Sequence, residues 1–243
     1  DLSASINEAV NIDDSNVMVI PTDGYGNPQI LRDLLKEHKP DALMLITDPR
    51  YFTWVFQMEA EIRKNIPIAY LNIWDDYPAP MYNRPFYEAC DLLMGISKQT
   101  VNINRLVLDE VAKDKVLRYV PHGLNENIYK PVEKDNSDLV KFKKQILNNR
   151  ESDFTLFFNS RNIRRKQIPD SLMAFRVFLD ELPEDKAKKC HFILHTELRS
   201  DHGTDLAACV EYLFGDKYPD NIIFSTKKYP TNELNLLYNS ADA

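Results

Sequence analysis

The residues best suited to do chemistry lie in one stretch, Phe157-Phe158-Asn159-Ser160-Arg161-Asn162-Ile163-Arg164-Arg165-Lys166. The apolar run from Phe154 to Phe158 reads as a buried strand. It gives way to a polar loop with Arg161, Arg164, Arg165 and Lys166. A helix over Ile168 to Leu182 should follow, with Leu172, Phe175, Val177, Phe178 and Leu182 mostly on one side. A strand, a cationic loop and a helix N-terminus together make an anion site. Free backbone N–H groups and the helix dipole favour negative charge there, and fixed cations add to it. The expected guest is a phosphate or diphosphate. The alternative is a loop of solvated charges. Position favours the site, because open α/β sheets bind ligands at the carboxyl ends of their strands.

An α/β frame must hold that loop, and the chain reads as one. Strands are expected at Val17 to Ile20, Ala42 to Ile46, Ile68 to Ile73, Leu92 to Ile96, Val116 to Val120, Phe154 to Phe158, His191 to His195 and Ile222 to Phe224. Helices are expected at Gln29 to Glu37, Tyr51 to Lys64, Pro85 to Ala89, Gln99 to Leu108, Val140 to Leu147, Asp205 to Phe214 and Thr231 to Ser240, besides the one after the basic loop. Ser97 and Thr231 read as N-caps. Asp1 to Asn11 has the look of a helix end, and another strand is expected around Ala241-Asp242-Ala243. Short apolar strands alternating with helices predict parallel sheets with helices on both faces, a three-layer arrangement. Periodicity fades between Pro121 and Asp138, which predicts two Rossmann-like domains, 1–130 and 131–243. Two such domains facing one another would enclose a cleft, the usual place for a ligand.

Composition narrows the partners. The 243 residues are 44% hydrophobic and 28% charged, with formal net charge −7. An acidic chain argues against a nucleic-acid backbone as partner. No apolar run approaches the roughly 20 residues of a membrane span, which leaves only peripheral membrane contact open. The 3 cysteines, Cys90, Cys190 and Cys209, lack metal-ligand spacing and suit a reducing compartment as buried thiols. The expected location is the cytoplasm.

Four landmarks in order resemble the two-domain GT-B glycosyltransferases, in particular the large retaining family often called GT4. Leu93-Met94-Gly95-Ile96-Ser97-Lys98-Gln99-Thr100 is like its strand-Ser-helix "vSkxt". Tyr119-Val120-Pro121-His122-Gly123-Leu124-Asn125, followed by Tyr129-Lys130-Pro131, is similar to "iPNGvD…F.P" at the domain crossover. Asn159-Ser160-Arg161 through Lys166, then Asp170 to Phe175, looks like "vGR…rKG…li.Af". Glu233-Leu234 and Leu237-Tyr238-Asn239-Ser240-Ala241-Asp242 are like "el..lY..Adv".

The resemblance implies transfer of a sugar from a nucleotide-diphosphate sugar, with UDP or GDP as the nucleotide, to an acceptor hydroxyl. Retention of stereochemistry and independence of metal and of any other cofactor come with it. The acceptor would be a glycan, a lipid or a small molecule. In that family an Arg and a Lys of the third landmark bind the donor diphosphate, and Arg161 and Lys166 hold those places. Asn159 at the head of the landmark is expected to join them. Lys227 and Tyr229, after the strand Ile222 to Phe224, fall in the loop that passes near the nucleotide base. The first domain would serve the acceptor and the second the donor. The family's Gly-rich acceptor loop is expected before Asp1 and its E-x7-E segment after Ala243, so each domain reads as incomplete at its outer end.

This sequence also departs from the family. Trp74-Asp75-Asp76 stands where relatives often have His-Asp. Asp75 and Asp76 are expected to contact sugar or acceptor hydroxyls as the catalytic carboxylates, or else to cap the turn before Pro78. His122 replaces an Asn before Gly123, and Gln167 replaces the Gly after Lys166. His195, Glu197, His202 and Asp205 fit no zinc spacing, and no metal is expected. The rival expectations are a sugar-nucleotide epimerase of the same fold and a non-catalytic, degenerate binding domain.

Overall fold

The computed structural model describes residues 10–11 and 18–243. The chain divides into two compact units, Asp1–Gly123 and Leu124–Ala243. The division falls at Gly123/Leu124, against 130/131 read from the sequence. Lys130 accounts for part of the shift. Its N–H donates to Asn235 Oδ1 (3.1 Å) and its carbonyl accepts from Asn235 Nδ2 (3.1 Å) and Asn239 Nδ2 (3.0 Å), which ties it to the second unit.

In the first unit, β1 (Val10–Asn11) and β2 (Met18–Val19) form a short antiparallel pair. The expectation of a helix end over Asp1 to Asn11 lies outside the described residues except for Val10 and Asn11, which are strand. Helix α1 (Pro28–His38) follows, capped by the Asn27 side chain on the amides of Gln29 and Ile30. A parallel sheet comes next: β3 (Leu43–Ile46), β4 (Ile68–Asn72), β5 (Leu92–Gly95) and β6 (Val116–Tyr119), in that spatial order. One face is the core, with Leu45, Tyr70 and Leu93 in register across three strands and all buried. Met44 and Ile46, which point the other way, are each 51% exposed.

The single helix expected over Tyr51 to Lys64 is broken. A 3₁₀ turn at Pro49–Phe52 leads into α2 (Thr53–Gln57), and α3 (Glu59–Ile62) follows. Met58, at φ −92° and ψ 4°, leaves helical geometry between α2 and α3. The Asp48 side chain caps the 3₁₀ turn through Arg50 N–H, so the turn starts earlier and tighter than the apolar pattern suggests. Helices α4 (Arg84–Glu88) and α5 (Lys98–Leu108) complete the unit. Ser97 caps α5 as expected, its hydroxyl accepting from Thr100 N–H at 3.0 Å.

The second unit holds α6 (Ser137–Ile146), β7 (Phe154–Asn159), α7 (Ile168–Asp180), α8 (Glu184–Ala187), β8 (Cys190–His195), α9 (Leu206–Phe214), β9 (Ile222–Ser225) and α10 (Thr231–Asn239). Strands β7, β8 and β9 are parallel in that order. Here both faces are covered. Phe192, Leu194 and Ile222 pack with α7 and α9, while Ile193 and Ile223 pack with Leu147 and Leu237. Asp242 N–H donates to Thr155 O (2.8 Å) and Phe157 N–H to Ala243 O (2.9 Å), so the last residues lie alongside β7.

Two sequence expectations fail in this unit. Val177 and Phe178 do not share the buried side of α7. They are 51% and 37% exposed, and Ile168, Leu172, Phe175 and Leu179 form its core stripe, the i, i+4, i+7, i+11 spacing of a true helical face. Thr231 is not an N-cap. It lies inside α10, after Pro230, and no side chain caps that end.

His191 sits inside this unit, 1% exposed, with Nδ1 3.0 Å from Ser152 Oγ. Burial holds its pKa below the ordinary histidine value, with the Arg150 charge adding to the effect. The unfolded chain therefore takes up a proton that the folded chain resists, and stability falls as pH drops through the unfolded value of about 6.5 towards the folded one. The expected result is a smaller fall in Tm from pH 7.5 to 5.5 for His191→Gln than for the parent. Equal falls in the two proteins would remove His191 as the source.

Candidate functional site

Parallel pairing sets three residues side by side at the carboxyl edge of the second sheet: Asn159 on β7, His195 on β8 and Ser225 on β9. The basic loop leaves from the first of them. Asn159 is exposed, and its Nδ2 donates to Tyr238 OH at 2.8 Å. Tyr238 in turn packs edge-on against Phe157. Arg161, Arg164 and Arg165 are exposed and Lys166 is half-buried. Among the described residues none of these four cations has an acidic partner within ion-pair distance, although ion pairs are frequent elsewhere on the chain. Loop cations held without counter-charges, at a strand's carboxyl end, present a net positive field to an incoming anion.

The approach to helix α7 differs from the simple strand–loop–helix expected. Arg164–Lys166 forms a 3₁₀ turn, and Gln167 then takes the left-handed conformation at φ 50°, ψ 40°. This is the position where the resembled family carries Gly, the residue that adopts this conformation without strain. Gln167 holds the same backbone path with a side chain attached. Pro169 removes one N–H from the first turn of α7, and no side chain caps that turn.

Sequence reasoning passed over the residue that fixes the loop. Asn162 is buried, 2% exposed. Its Nδ2 donates to the carbonyls of Thr204 (2.7 Å), Glu197 (3.1 Å) and Leu198 (3.4 Å), and its Oδ1 accepts from Thr204 N–H (3.1 Å). Arg164 N–H donates to His202 O at 3.0 Å. The loop after β8 is thus clamped onto the basic loop. Gly203 allows the contact, since a Cβ there would sit 2.2 Å from Asn162 Oδ1 and 2.3 Å from its backbone oxygen. The signal for this clamp was a buried-type Asn inside a run of cations and a Gly between polar residues. Neither is legible without the second loop.

His195, Glu197, His202 and Asp205 do not converge. His195 Nδ1 lies 3.0 Å from Ser225 Oγ, and Asp205 caps α9 through Ala208 N–H. Among the described residues no three His, Cys, Asp or Glu side chains group as a metal site. Lys227 and Tyr229 follow β9 on the same edge. The Lys227 ammonium lies 5.2 Å from the Tyr229 ring centre and 3.6 Å from Glu233. Tyr229 packs against His195 at 5.6 Å, which ties the loop after β9 to the centre of the edge.

Asp75 and Asp76 belong to the first unit, at the carboxyl end of β4, and both are exposed. Asp76 Oδ1 accepts from Tyr77 N–H at 2.8 Å, the turn-capping role foreseen as the alternative. The Asp75 carbonyl accepts from Gln99 Nε2 at 3.0 Å. Two buried polar residues that the sequence reading did not single out hold this turn. Asn72 Oδ1 takes Trp74 N–H (3.0 Å), and Thr100 Oγ1 donates to Trp74 O (2.8 Å). Among the described residues the Asp75 carboxylate has no ion-pair partner.

Two units, each built on a parallel sheet flanked by helices, with a cation loop after the first strand of the second sheet, give the α/β fold seen in GT-B glycosyltransferases. Solved structures share it across most of this chain. A trehalose-phosphate synthase (UDP-forming) from Burkholderia vietnamiensis matches 88% of the chain at 16% identity and TM-score 0.63. Anabaena HepE, solved in complex with UDP-glucose, matches 88% at 14% identity and TM-score 0.61. A glycosyltransferase from Rickettsia africae matches 92% at 10% identity and TM-score 0.63. The chain spans about half the length of these structures, 53%, 55% and 57% of them respectively. No family model and no curated protein matches the sequence. Among the described residues no helix is long and apolar enough to cross a membrane.

Proposed function

We propose that this chain is part of a glycosyltransferase of the GT4-like type. It takes a sugar from a UDP-sugar and transfers it, with retention and without a metal, to an acceptor hydroxyl. The observation that carries this reading is the clamped basic loop. Arg161 and Lys166 lie in the loop that leaves the strand at Asn159, and among the described residues no acidic side chain pairs with them. Cleavage of the bond between sugar C1 and phosphate leaves a diphosphate of growing negative charge. Fixed cations that need not reorganise stabilise that charge without a metal. Arg161 offers planar paired donors and Lys166 a compact point charge. The second unit is the donor side, with Lys227 and Tyr229 beside the base. The first unit is the acceptor side, with Asp75 and Asp76 directed to hydroxyls. The shared fold with proteins solved with UDP-glucose or named as UDP-forming supports UDP over GDP.

Thermal unfolding with UDP, GDP and ADP, each with and without EDTA, tests this. UDP at about 100 times Kd should add roughly 2.7 kcal/mol, a rise of several degrees for a chain of this size. Arg161→Ala and Lys166→Ala should each reduce the rise. A UDP shift untouched by both variants would move the site elsewhere, and one abolished by EDTA would overturn metal independence.

A further inference from the structure

At the amino edge of the second sheet lies a cavity of about 300 Å³ that the proposed reaction leaves unused. It runs between α6 and the residues that follow α10. The 6 residues of β7 separate this edge from Asn159, where the basic loop leaves, by roughly 20 Å. Leu139, Lys143 and Leu147 fall on one face of α6, at i, i+4 and i+8, and all three line the cavity. Leu147 also packs with Ile193, Ile223 and Leu237, which seats the helix on the sheet. Asn148 and Asn149 then take left-handed backbone at φ 51° and 60°, which asparagine tolerates better than most residues. The chain reverses there, with Arg150 N–H donating to Leu147 O at 3.0 Å. The reversal brings Arg150 and Ser152 back to the same cavity.

The lining is strongly one-signed. Lys134, Lys143, Lys144 and Arg150 stand against one carboxylate, Asp242, in a chain whose net charge is −7. Arg150 is engaged by Asp220 at 2.6 Å. Asp242 is engaged by the backbone, its Oδ2 accepting from Thr155 N–H at 2.8 Å. Among the described residues none of the three lysines has an acidic partner within ion-pair distance, although Asp242 shares the cavity with them and Lys143 is half-buried. The neutral groups are occupied as well. Ser152 Oγ lies 2.9 Å from Thr155 Oγ1 and 3.0 Å from His191 Nδ1. Asn239 donates to Lys130 O at 3.0 Å and accepts from Val132 N–H at 2.8 Å. The hydrogen-bonding capacity left over is that of the ammonium groups, which selects an anion. Lys143 and Lys144 also complement the dipole at the C-terminal end of α6. That role does not account for Lys134, which precedes the helix.

Size decides the kind of anion. A volume of about 300 Å³ is the low end for small-molecule sites. One turn of a peptide helix, roughly 10 Å across and 5.4 Å long, already exceeds it. Leu139 and Leu147, 4% and 2% exposed, give the cavity an apolar floor that a ring or short alkyl group would cover. A single carboxylate would leave two of three lysines unanswered, whereas a phosphate monoester carries nearly two charges and three acceptor oxygens at neutral pH. We propose that this cavity binds a small phosphate monoester, its phosphate on Lys134, Lys143 and Lys144 and its apolar body on Leu139 and Leu147. The site stands apart from the basic loop and does not depend on the glycosyltransferase reading.

Calorimetric titration of the full chain with phenyl phosphate tests the assignment, with UDP titrated in parallel. The expected result is saturable binding that weakens as salt is raised and survives Arg161→Ala. Lys143→Gln and Lys144→Gln should each weaken it on the order of tenfold, while Lys143→Arg, which keeps the charge, retains it. Both glutamine variants keep a long stem at partly or fully exposed positions and should melt with the parent, which separates lost binding from lost fold. Benzyl alcohol, a similar ring without the charge, should not bind. Phenyl phosphate binding lost in Arg161→Ala and kept in the lysine variants would place the anion on the basic loop and overturn the proposal. Equal binding of benzyl alcohol would overturn the role of the lysines, and equal binding of inorganic phosphate would overturn the role of the apolar floor. Adsorption to phosphatidylserine vesicles through Lys143 and Lys144, with no phenyl phosphate bound, would overturn it in favour of a membrane surface. UDP binding with no phenyl phosphate binding would overturn it and leave the functional reading standing. Phenyl phosphate binding lost in the lysine variants, with no UDP binding, would support the site and remove the transferase.

Discussion

Gly203→Ala should be among the most damaging single-methyl substitutions in the chain. The new Cβ would fall 2.2 Å from Asn162 Oδ1, 2.6 Å from its Cγ and 2.3 Å from its carbonyl oxygen. The last of these is backbone, so the clash is not relieved by a rotamer change alone. Either the loop after β8 lifts or Asn162 withdraws. In both cases the Asn162 amide loses partners it cannot replace at 2% exposure. Overpacking costs about 1–3 kcal/mol and a stranded buried polar group about 1–3 kcal/mol more. The expected outcome is a loss of roughly 2–5 kcal/mol, read as a Tm lower by many degrees. Asn162→Ala should fall in the same range, and combining the two should cost little beyond either alone, because they break one contact. Gly123→Ala is the control. Nothing lies within 4 Å of its Cβ position, so it should melt with the parent. If Gly203→Ala melts with the parent as well, the two loops are not clamped as described.

Lys166→Ala should have the largest effect on turnover. Under the proposed function its ammonium meets the leaving diphosphate, where charge grows as the sugar bond breaks. Removal of one such preorganised contact costs on the order of 10²-fold or more in kcat/KM. Arg161→Ala should do the same, and Arg161→Lys should not restore the rate, because a point charge lacks the paired planar donors. Arg164→Ala and Arg165→Ala, at exposed positions other than the Arg and Lys expected to bind the diphosphate, should change kcat/KM far less. The assay is release of UDP in the presence of acceptor. An unchanged kcat/KM in Lys166→Ala would remove Lys166 from the reaction. Equal losses in all four variants would mean a diffuse field rather than a site.

The sequence by itself determined the parallel architecture, and the reason is local. Runs such as Leu92 to Gly95 and Cys190 to His195 are too apolar to face water on either side, and helices with caps such as Ser97 separate them. It also marked the basic loop, since four cations in six residues stand out in a chain of net charge −7. Periodicity misjudged the helices where one side chain outweighs the pattern. Met58 breaks the run after Tyr51, and Pro230 displaces the cap from Thr231. What only the tertiary structure decided is which distant residues meet. Asn162 is an ordinary loop residue until the carbonyls of Glu197 and Thr204 arrive, 35 and 42 positions on. Tyr25 and Tyr51 are scattered aromatics until two loops stack their rings 4.2 Å apart. Spacing along a chain encodes the face of a helix or strand. Strand order and loop packing bring such pairs together, and no local pattern records them.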